Sequence, residues 1–136
     1  MNTKAILTAS AIILGIAGIA ASFAPAEIAR AAAPGTMPLI IQLLGAAYFA
    51  FAMANWMARG SLIGGIYNRP LALGNATHFV VGALALVKVT LGDPRLPLIV
   101  ATVIYALFAL AFTALLFTSP AARASTPPAT PDRETL

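Results

Sequence analysis

The chain has 136 residues, of which 60% are hydrophobic and 9% are charged, and its mean hydropathy is +0.92. Soluble domains carry roughly a quarter charged residues, and small ones bury only about two-thirds of the surface that the unfolded chain exposes. The composition therefore excludes a soluble globular protein and indicates a single membrane domain. The net charge is +4, but the basic residues are scattered singly, which excludes the continuous basic stripe of a nucleic-acid-binding protein. The absence of cysteine excludes disulfides and thiolate-held iron–sulfur clusters.

Four apolar segments are long enough to cross the hydrocarbon core of a bilayer, which about 20 helical residues span. They cover residues 5–24, 39–58, 71–90 and 96–117. The first could be a signal peptide, but its apolar run exceeds the roughly 7–15 residues of such peptides, so we expect an uncleaved helix. Each segment is also longer than the roughly ten residues of a barrel strand. We therefore predict an all-α membrane protein with four transmembrane helices in an up-down bundle over residues 1–118.

Polar and proline-containing segments separate these helices. Residues 25–38 contain three prolines with Glu27 and Arg30, and predict a loop on the outer face, within which residues 26–33 could form a short interfacial helix. A second loop is predicted from Arg59 to Pro70, and a tight turn at residues 92–95. Residues 119–136 have four prolines and no large apolar residue before Leu136, which predicts a disordered tail.

The distribution of basic residues predicts the orientation of the bundle. If the N-terminus is inside, positions 4, 59, 69, 123 and 133 lie on the cytoplasmic side, and positions 30, 88 and 95 lie on the other. Because cytoplasmic loops carry the excess of Lys and Arg, we expect both termini in the cytoplasm.

Small and polar residues recur at helical spacing in the first three spans. They are Ala11, Gly15, Gly18 and Ser22 in the first, Gln42, Gly45, Phe49, Ala52, Trp56 and Arg59 in the second, and Asn75, His78, Gly82, Ala85 and Val89 in the third. Small residues allow close approach of helices, and amides favour protein over lipid, so we expect these arcs to face neighbouring helices.

His78 is the one histidine of the chain and lies inside the third span. Ionisable groups within a membrane are functional candidates, and this one could relay a proton or bond a quinone-like ligand, with Gln42 and Asn75 lining the same polar cavity. Alternatively, His78 is neutral and bonds Asn75, Gln42 or a backbone carbonyl to hold the helices together. A metal site is not predicted, since there is no second His, no Cys and no acid within a span.

Arg59 and Arg69 flank a glycine-containing loop that could hold an anion through forked hydrogen bonds and backbone N–H groups. An anionic lipid headgroup is the most available ligand. The residues expected to complete this site are Asn55, Trp56, Tyr67 and Asn68. Alternatively, both arginines are positive-inside anchors and the glycines form turns. The loop lacks the nucleotide-binding P-loop motif, and all four carboxylates lie outside the spans, so we assign no catalytic residue. The sequence does not identify a cofactor.

Three segments carry a resemblance to known proteins: F-A-P-A-E-I at 23–28, N-W-M-A-R-G-S-L-I-G-G-I-Y-N-R-P at 55–70, and G-N-A-T-H-F at 74–79. With them, the chain resembles a family of small four-helix bacterial inner-membrane proteins of unassigned activity. It is more distantly similar to DoxX-like four-helix proteins, some of which are linked to sulfur or quinone-coupled metabolism. The resemblance implies a multi-pass protein of the bacterial inner membrane and transfers no catalytic residue.

Two functional hypotheses follow from the residues, with a structural one beside them. The first is a binding or accessory subunit that holds an anionic lipid at the Arg59–Arg69 loop. The second is a redox (quinone-linked) or transport role that uses the cavity around His78. The third is an oligomer packed through small-residue faces. The expected partners are membrane lipids and either a second copy or another membrane protein, and not nucleic acid.

Overall fold

The computed structural model describes residues 2–60 and 68–118, which form five α-helices. These are α1 (Thr3–Phe23), α2 (Pro25–Ala32), α3 (Pro38–Ala58), α4 (Asn68–Gly92) and α5 (Leu96–Thr118). All except α2 are long and apolar enough to cross a membrane. The predicted all-α membrane bundle is confirmed, and the ends of each predicted span agree with one helix to within three residues. The predicted tail at residues 119–136 lies outside the described residues.

The helix ends follow from their first residues. The Asn2 side chain accepts a hydrogen bond from the backbone N–H of Ala5 at 3.2 Å, and so caps α1. Pro38 begins α3, where its missing N–H costs nothing because first-turn N–H groups have no partner within the helix. The same tolerance for Pro70 allows α4 to begin at Asn68 rather than at Leu71. Arg69 therefore belongs to a helix and not to the predicted loop.

The segment predicted as an outer loop contains α2, so the alternative of a short helix is the correct one. Glu27 in the first turn of α2 forms an ion pair with Arg30 at 3.1 Å. Ala29 is buried in a small cluster with Ala21 of α1 and Ile41 of α3. α2 therefore packs across one end of these two helices and links them.

The bundle consists of two closely packed pairs of helices, α1 with α3 and α4 with α5. In the first pair, Gly18 and Gly45 lie where the two backbones come closest, and a Cβ built on Gly18 would be 2.9 Å from the carbonyl oxygen of Gly45. Ala11 and Gly18 are buried, which confirms that the small-residue face of α1 packs against protein. Because lipid is as apolar as the side chains, close van der Waals contact of this kind is what holds membrane helices together.

The face that α3 presents to its neighbours differs from the predicted arc. Its buried residues are Ile41, Gly45, Ala52 and Asn55. Gly45 and Ala52 belong to the predicted arc, whereas Gln42, Phe49 and Trp56 are exposed. Both the predicted arc and the observed buried face continue from Gly45 and Ala52 at a spacing of three or four residues. The close packing of Gly45 on α1 turns inward the face that contains Ile41 and Asn55, one residue before Gln42 and Trp56.

Aromatic side chains fill the centre between the two helix pairs. Phe79 of α4 stacks on Phe108 and Phe112 of α5, with ring centroids 4.9 and 5.6 Å away. Leu7 and Leu14 of α1 complete this core. Most of the large aliphatic side chains of the described spans point outward to the lipid side, which is where a bilayer removes them from water.

Candidate functional site

Three polar side chains form a hydrogen-bonded chain in the middle of the bundle. The hydroxyl of Tyr105 in α5 donates to the hydroxyl of Tyr48 in α3 at 2.6 Å, and lies 3.1 Å from Nε2 of His78 in α4. Each residue is within a few positions of the midpoint of its helix. For helices that span a hydrocarbon core of about 30 Å, this places the His78–Tyr105–Tyr48 chain close to the bilayer midplane.

Aromatic packing fixes the position of the His78 ring. The ring of Phe51 stacks on it at a centroid distance of 4.9 Å and an interplanar angle of 24°. Tyr48 and Phe79 meet it edge-on, at 5.6 and 5.2 Å. Contact from several sides leaves little rotational freedom, so Nε2 is held facing the Tyr105 hydroxyl.

Gly82 fixes the Tyr105 ring in a similar way. A Cβ built at this position would collide with the Cε1 and Cδ1 atoms of Tyr105. The ring therefore lies directly against the backbone of α4, one turn of helix beyond His78. This contact explains why a glycine occupies the predicted seam of the third span at that position.

The His78–Tyr105–Tyr48 chain lines a groove of about 440 Å³ between α3 and α4, which we call the His78 groove. Its polar residues are Tyr48, Thr77, His78 and Tyr105, and its walls include Leu44, Val81 and Ala85. Leu44 and Val81 are 40% and 60% exposed at a level where the surroundings are lipid. The groove thus opens sideways to acyl chains and has hydrogen-bonding groups along its inner side.

The His78–Tyr105–Tyr48 chain has one more hydrogen-bond donor than its two hydrogen bonds use. Tyr105 uses its single hydroxyl proton on Tyr48, so a neutral His78 must donate from Nε2, and the Tyr48 proton has no acceptor among the described residues. If both hydrogen bonds reverse, the spare donor is Nδ1–H of His78. Three protons serve two hydrogen bonds in either arrangement. One N–H or O–H on a groove residue is therefore left without an acceptor among the described residues.

The two amides predicted to accompany His78 lie elsewhere. Gln42 is exposed, and its Nε2 donates to the carbonyl oxygen of Ser22 in α1 at 3.3 Å. Asn75 is fully buried and bonds to Asn55. Neither lines the His78 groove. The hydroxyl bonded to His78 is that of Tyr105 in α5. Tyr48 joins the chain through Tyr105, because α3 turns Tyr48 rather than Gln42 or Phe49 toward the neighbouring helices.

Asn55 also differs from its predicted place at the mouth of an anion pocket. Asn55 and Asn75 exchange two amide hydrogen bonds, of 2.8 and 2.7 Å, and Asn55 also donates to the Ser10 hydroxyl at 3.0 Å. The second N–H of Asn75 donates to the carbonyl oxygen of Leu71. All four amide N–H groups therefore have acceptors. This buried Ser10–Asn55–Asn75 cluster joins α1, α3 and α4 and leaves no donor for a ligand.

The residues predicted for the anion site are only partly within the described residues. Arg59 stacks on Trp56 at the end of α3, with its Cζ 3.3 Å from the ring centroid. Arg69 is an exposed residue in the first turn of α4. Tyr67 and the side chain of Asn68 lie outside the described residues. The second basic side chain on the concave surface lined by Arg59 and Trp56 is that of Lys4.

Sequence reasoning did not single out Tyr48, Tyr105 or Lys4. A signal for the two tyrosines was present, because both lie in mid-span rather than near a membrane interface, where tyrosine is usual. A hydroxyl at that depth needs a partner, and His78 is one of the few available. No local signal points to Lys4, which approaches Arg59 only because α1 and α3 are antiparallel.

In the comparisons with known proteins, no family model, curated protein or solved structure matches this chain. The resemblance to small four-helix inner-membrane proteins and to DoxX-like proteins stays a prediction.

Proposed function

We propose that this protein binds, from the lipid phase, a small ligand with an apolar body and a hydrogen-bond-accepting head group, of the quinone type. The observation that supports this proposal is the spare donor of the His78–Tyr105–Tyr48 chain at a groove open to lipid. A carbonyl oxygen is the complementary acceptor, and Leu44 and Val81 are suited to contact an apolar ring or chain.

The geometry favours the site around His78 over the anionic-lipid site at the Arg59–Arg69 loop. The sequence favours the Arg59–Arg69 loop, but Asn55 is engaged by Asn75 and part of that loop lies outside the described residues. The His78 groove, in contrast, is lined entirely by described residues, and three of its polar side chains are hydrogen-bonded to one another. The groups in it suit binding, and they include no carboxylate or metal-ligand cluster that would add a catalytic step.

Replacing Tyr48 by Phe is expected to weaken ligand binding about fivefold. It removes the donor that the groove presents when Tyr105 donates to Tyr48 and moves the spare proton to Tyr105 or His78, and one neutral hydrogen bond contributes about 1 kcal/mol. His78→Leu removes the other end of the chain, and we expect at least the same loss. The measurement is retention of a short-chain ubiquinone, titrated into the protein in lipid nanodiscs and quantified by mass spectrometry. Thr102→Val is the matched control, since it removes a hydroxyl that bonds Thr90 and Leu98 outside the groove.

A second variant tests the geometry without removing a polar group. Gly82→Ala forces the Tyr105 ring to move, so it should weaken ubiquinone retention as Tyr48→Phe does. Gly74→Ala is its control, because the new methyl group would lie 3.9 Å from the nearest atom of Phe51. The proposal is wrong if Tyr48→Phe, His78→Leu and Gly82→Ala all retain ubiquinone as the parent protein does.

We propose a bacterial inner membrane as the location, with both termini inside, in keeping with the resemblance and the charge distribution. Because the chain has no cysteine, an introduced cysteine is the one thiol that a maleimide can label. Ala31→Cys in α2 should react with a membrane-impermeant maleimide in cells whose outer membrane is permeabilised. Gly60→Cys should react only after the inner membrane is opened, and a Cβ at this position would meet no atom of the described residues within 4 Å. The reverse labelling pattern would place the termini outside.

A further inference from the structure

A second concave surface lies at the end of the bundle where α1 begins and α3 ends. It has a volume of about 360 Å³ and is lined by Lys4, Trp56, Met57, Arg59 and Gly60. We call it the Lys4–Arg59 pocket. It is separate from the His78 groove, with which it shares no lining residue.

The guanidinium group of Arg59 is held in a defined position. Its Cζ lies 3.3 Å from the centroid of the Trp56 ring, and Nη1 donates to the Trp56 carbonyl oxygen at 3.0 Å. Stacking fixes the plane of the group, and the backbone hydrogen bond fixes its rotation within that plane. The other N–H groups of Arg59 have no acceptor among the described residues. They form a preorganised fork of the kind that binds phosphate oxygens.

The described carboxylates do not neutralise this pocket. Glu27 pairs with Arg30, and Asp93 pairs with Arg95, both at the opposite end of the bundle. Within residues 2–60 and 68–118, Lys4 and Arg59 therefore have no acidic partner. Two cations that face one pocket repel each other, and an anion placed between them turns this repulsion into two attractions.

We propose that the Lys4–Arg59 pocket binds a phosphate group, with Arg59 contacting two of its oxygens and Lys4 serving as a point charge. The position at a helix end, beside the 45% exposed Trp56 and the 77% exposed Met57, favours the headgroup of an anionic phospholipid whose chains run along these side chains. This assignment differs from the predicted Arg59–Arg69 site because its second cation is Lys4.

The test is retention of phosphatidylglycerol against phosphatidylcholine, measured by native mass spectrometry on the purified full chain. Lys4→Ala and Arg59→Ala should each lower phosphatidylglycerol retention about fivefold, and the double variant about thirtyfold, as expected from about 1 kcal/mol for each direct ion pair with the phosphate. Arg69→Ala and Lys88→Ala are the matched controls, and each should leave retention unchanged. Both pocket cations lie at the surface, so the fold should tolerate these changes, and circular dichroism checks it.

Competition with inorganic phosphate identifies the source of the bound phosphate group, and comparison of the variants tests the proposal. Inorganic phosphate added in excess should not displace phosphatidylglycerol if the lipid is the ligand, whereas displacement would identify free phosphate as a ligand of the same pocket. The proposal is overturned if the double variant retains phosphatidylglycerol as the parent protein does. It is also overturned if Arg69→Ala has as large an effect as Arg59→Ala, since the site would then be the 59–69 loop.

Discussion

Replacing Gly18 by Ala is expected to separate α1 from α3 and to lower the free energy of unfolding by about 1–3 kcal/mol. The new Cβ would lie 2.7 Å from the backbone nitrogen of Phe49 and 2.9 Å from the carbonyl oxygen of Gly45. Both atoms belong to the backbone of α3, so no side-chain rotation relieves the collision, and the two helices must move apart as rigid bodies. Unfolding in mixed micelles of increasing SDS content measures the change.

Gly45→Ala should have a similar effect from the other side of the seam. Its Cβ would lie 2.7 Å from the backbone nitrogen of Ser22 and 2.9 Å from the Cβ of Ala21. Because either substitution already separates the helices, the double variant should cost less than the sum of the two single variants. A strictly additive result would show that the two glycines do not share one contact.

Gly15→Ala is the matched control for this prediction. It lies on the same face of α1, but its Cβ would meet only the Cβ of Ala52, at 3.7 Å, which is an ordinary van der Waals distance. We expect its free energy of unfolding to stay within about 0.5 kcal/mol of the parent. If Gly15→Ala destabilises the protein as much as Gly18→Ala does, small size along α1 matters generally and close backbone contact at Gly18 is not the cause.

The spans were predictable because hydropathy and proline dominate a membrane chain. In lipid every backbone polar group must be bonded within the segment, so an apolar run of about 20 residues has few structures open to it. Pro38 marks the start of α3, and residues 92–95 mark the turn before α5. The sequence predicts a start at Leu71 because proline usually interrupts a helix, but a first helical turn accepts Pro70, and α4 begins three residues earlier, at Asn68.

The rotation of α3 could not be predicted with the same ease. In a soluble amphipathic helix the polar side reveals the exposed face. In α3, apolar residues lie on every side, and a buried alanine and a lipid-facing alanine look alike in sequence. Gly45 and Ala52 fit two neighbouring arcs equally well. The choice between Tyr48 and Phe49, or between Asn55 and Trp56, depends on which side chains of α1 and α4 meet them. The rotation of α3 is therefore set by the side chains of three helices and is not encoded in the sequence of α3 alone.

The candidate site shows the same division. His78 was found from the sequence because an ionisable residue within a span is rare and costly. The sequence predicts Asn75 and Gln42 as its partners, since Asn75 is close to it in the chain and Gln42 lies on the predicted arc of α3. The observed partner, Tyr105, belongs to the last helix. Asn75 instead belongs to the Ser10–Asn55–Asn75 cluster. A polar residue within a span therefore predicts that a hydrogen-bond partner is needed, but it does not predict which residue is that partner.

Replacing Asn55 by Leu is expected to lower the free energy of unfolding by about 1–3 kcal/mol, because it leaves buried groups of Asn75 without partners. Asn55 and Asn75 are both 0% exposed, so neither lipid headgroups nor water can substitute. The double variant Asn55→Leu plus Asn75→Leu removes both sides of the amide pair. It should therefore cost less than the sum of the single changes, by the roughly 0.6–1.7 kcal/mol found for hydrogen bonds between membrane helices. SDS unfolding of all four proteins gives this coupling energy.

Gln42→Leu separates this effect from the general effect of removing an amide from a span. Gln42 is exposed and makes a single 3.3 Å hydrogen bond to Ser22, so its loss should change the free energy of unfolding by no more than about 0.5 kcal/mol. If Asn55→Leu costs no more than Gln42→Leu, the amide pair does not stabilise the bundle. A pair that holds α3 against α4 also sets the rotation of α3 and hence the distance from Tyr48 to Tyr105. Asn55→Leu should therefore weaken ubiquinone retention as well, although no atom of Asn55 lines the His78 groove.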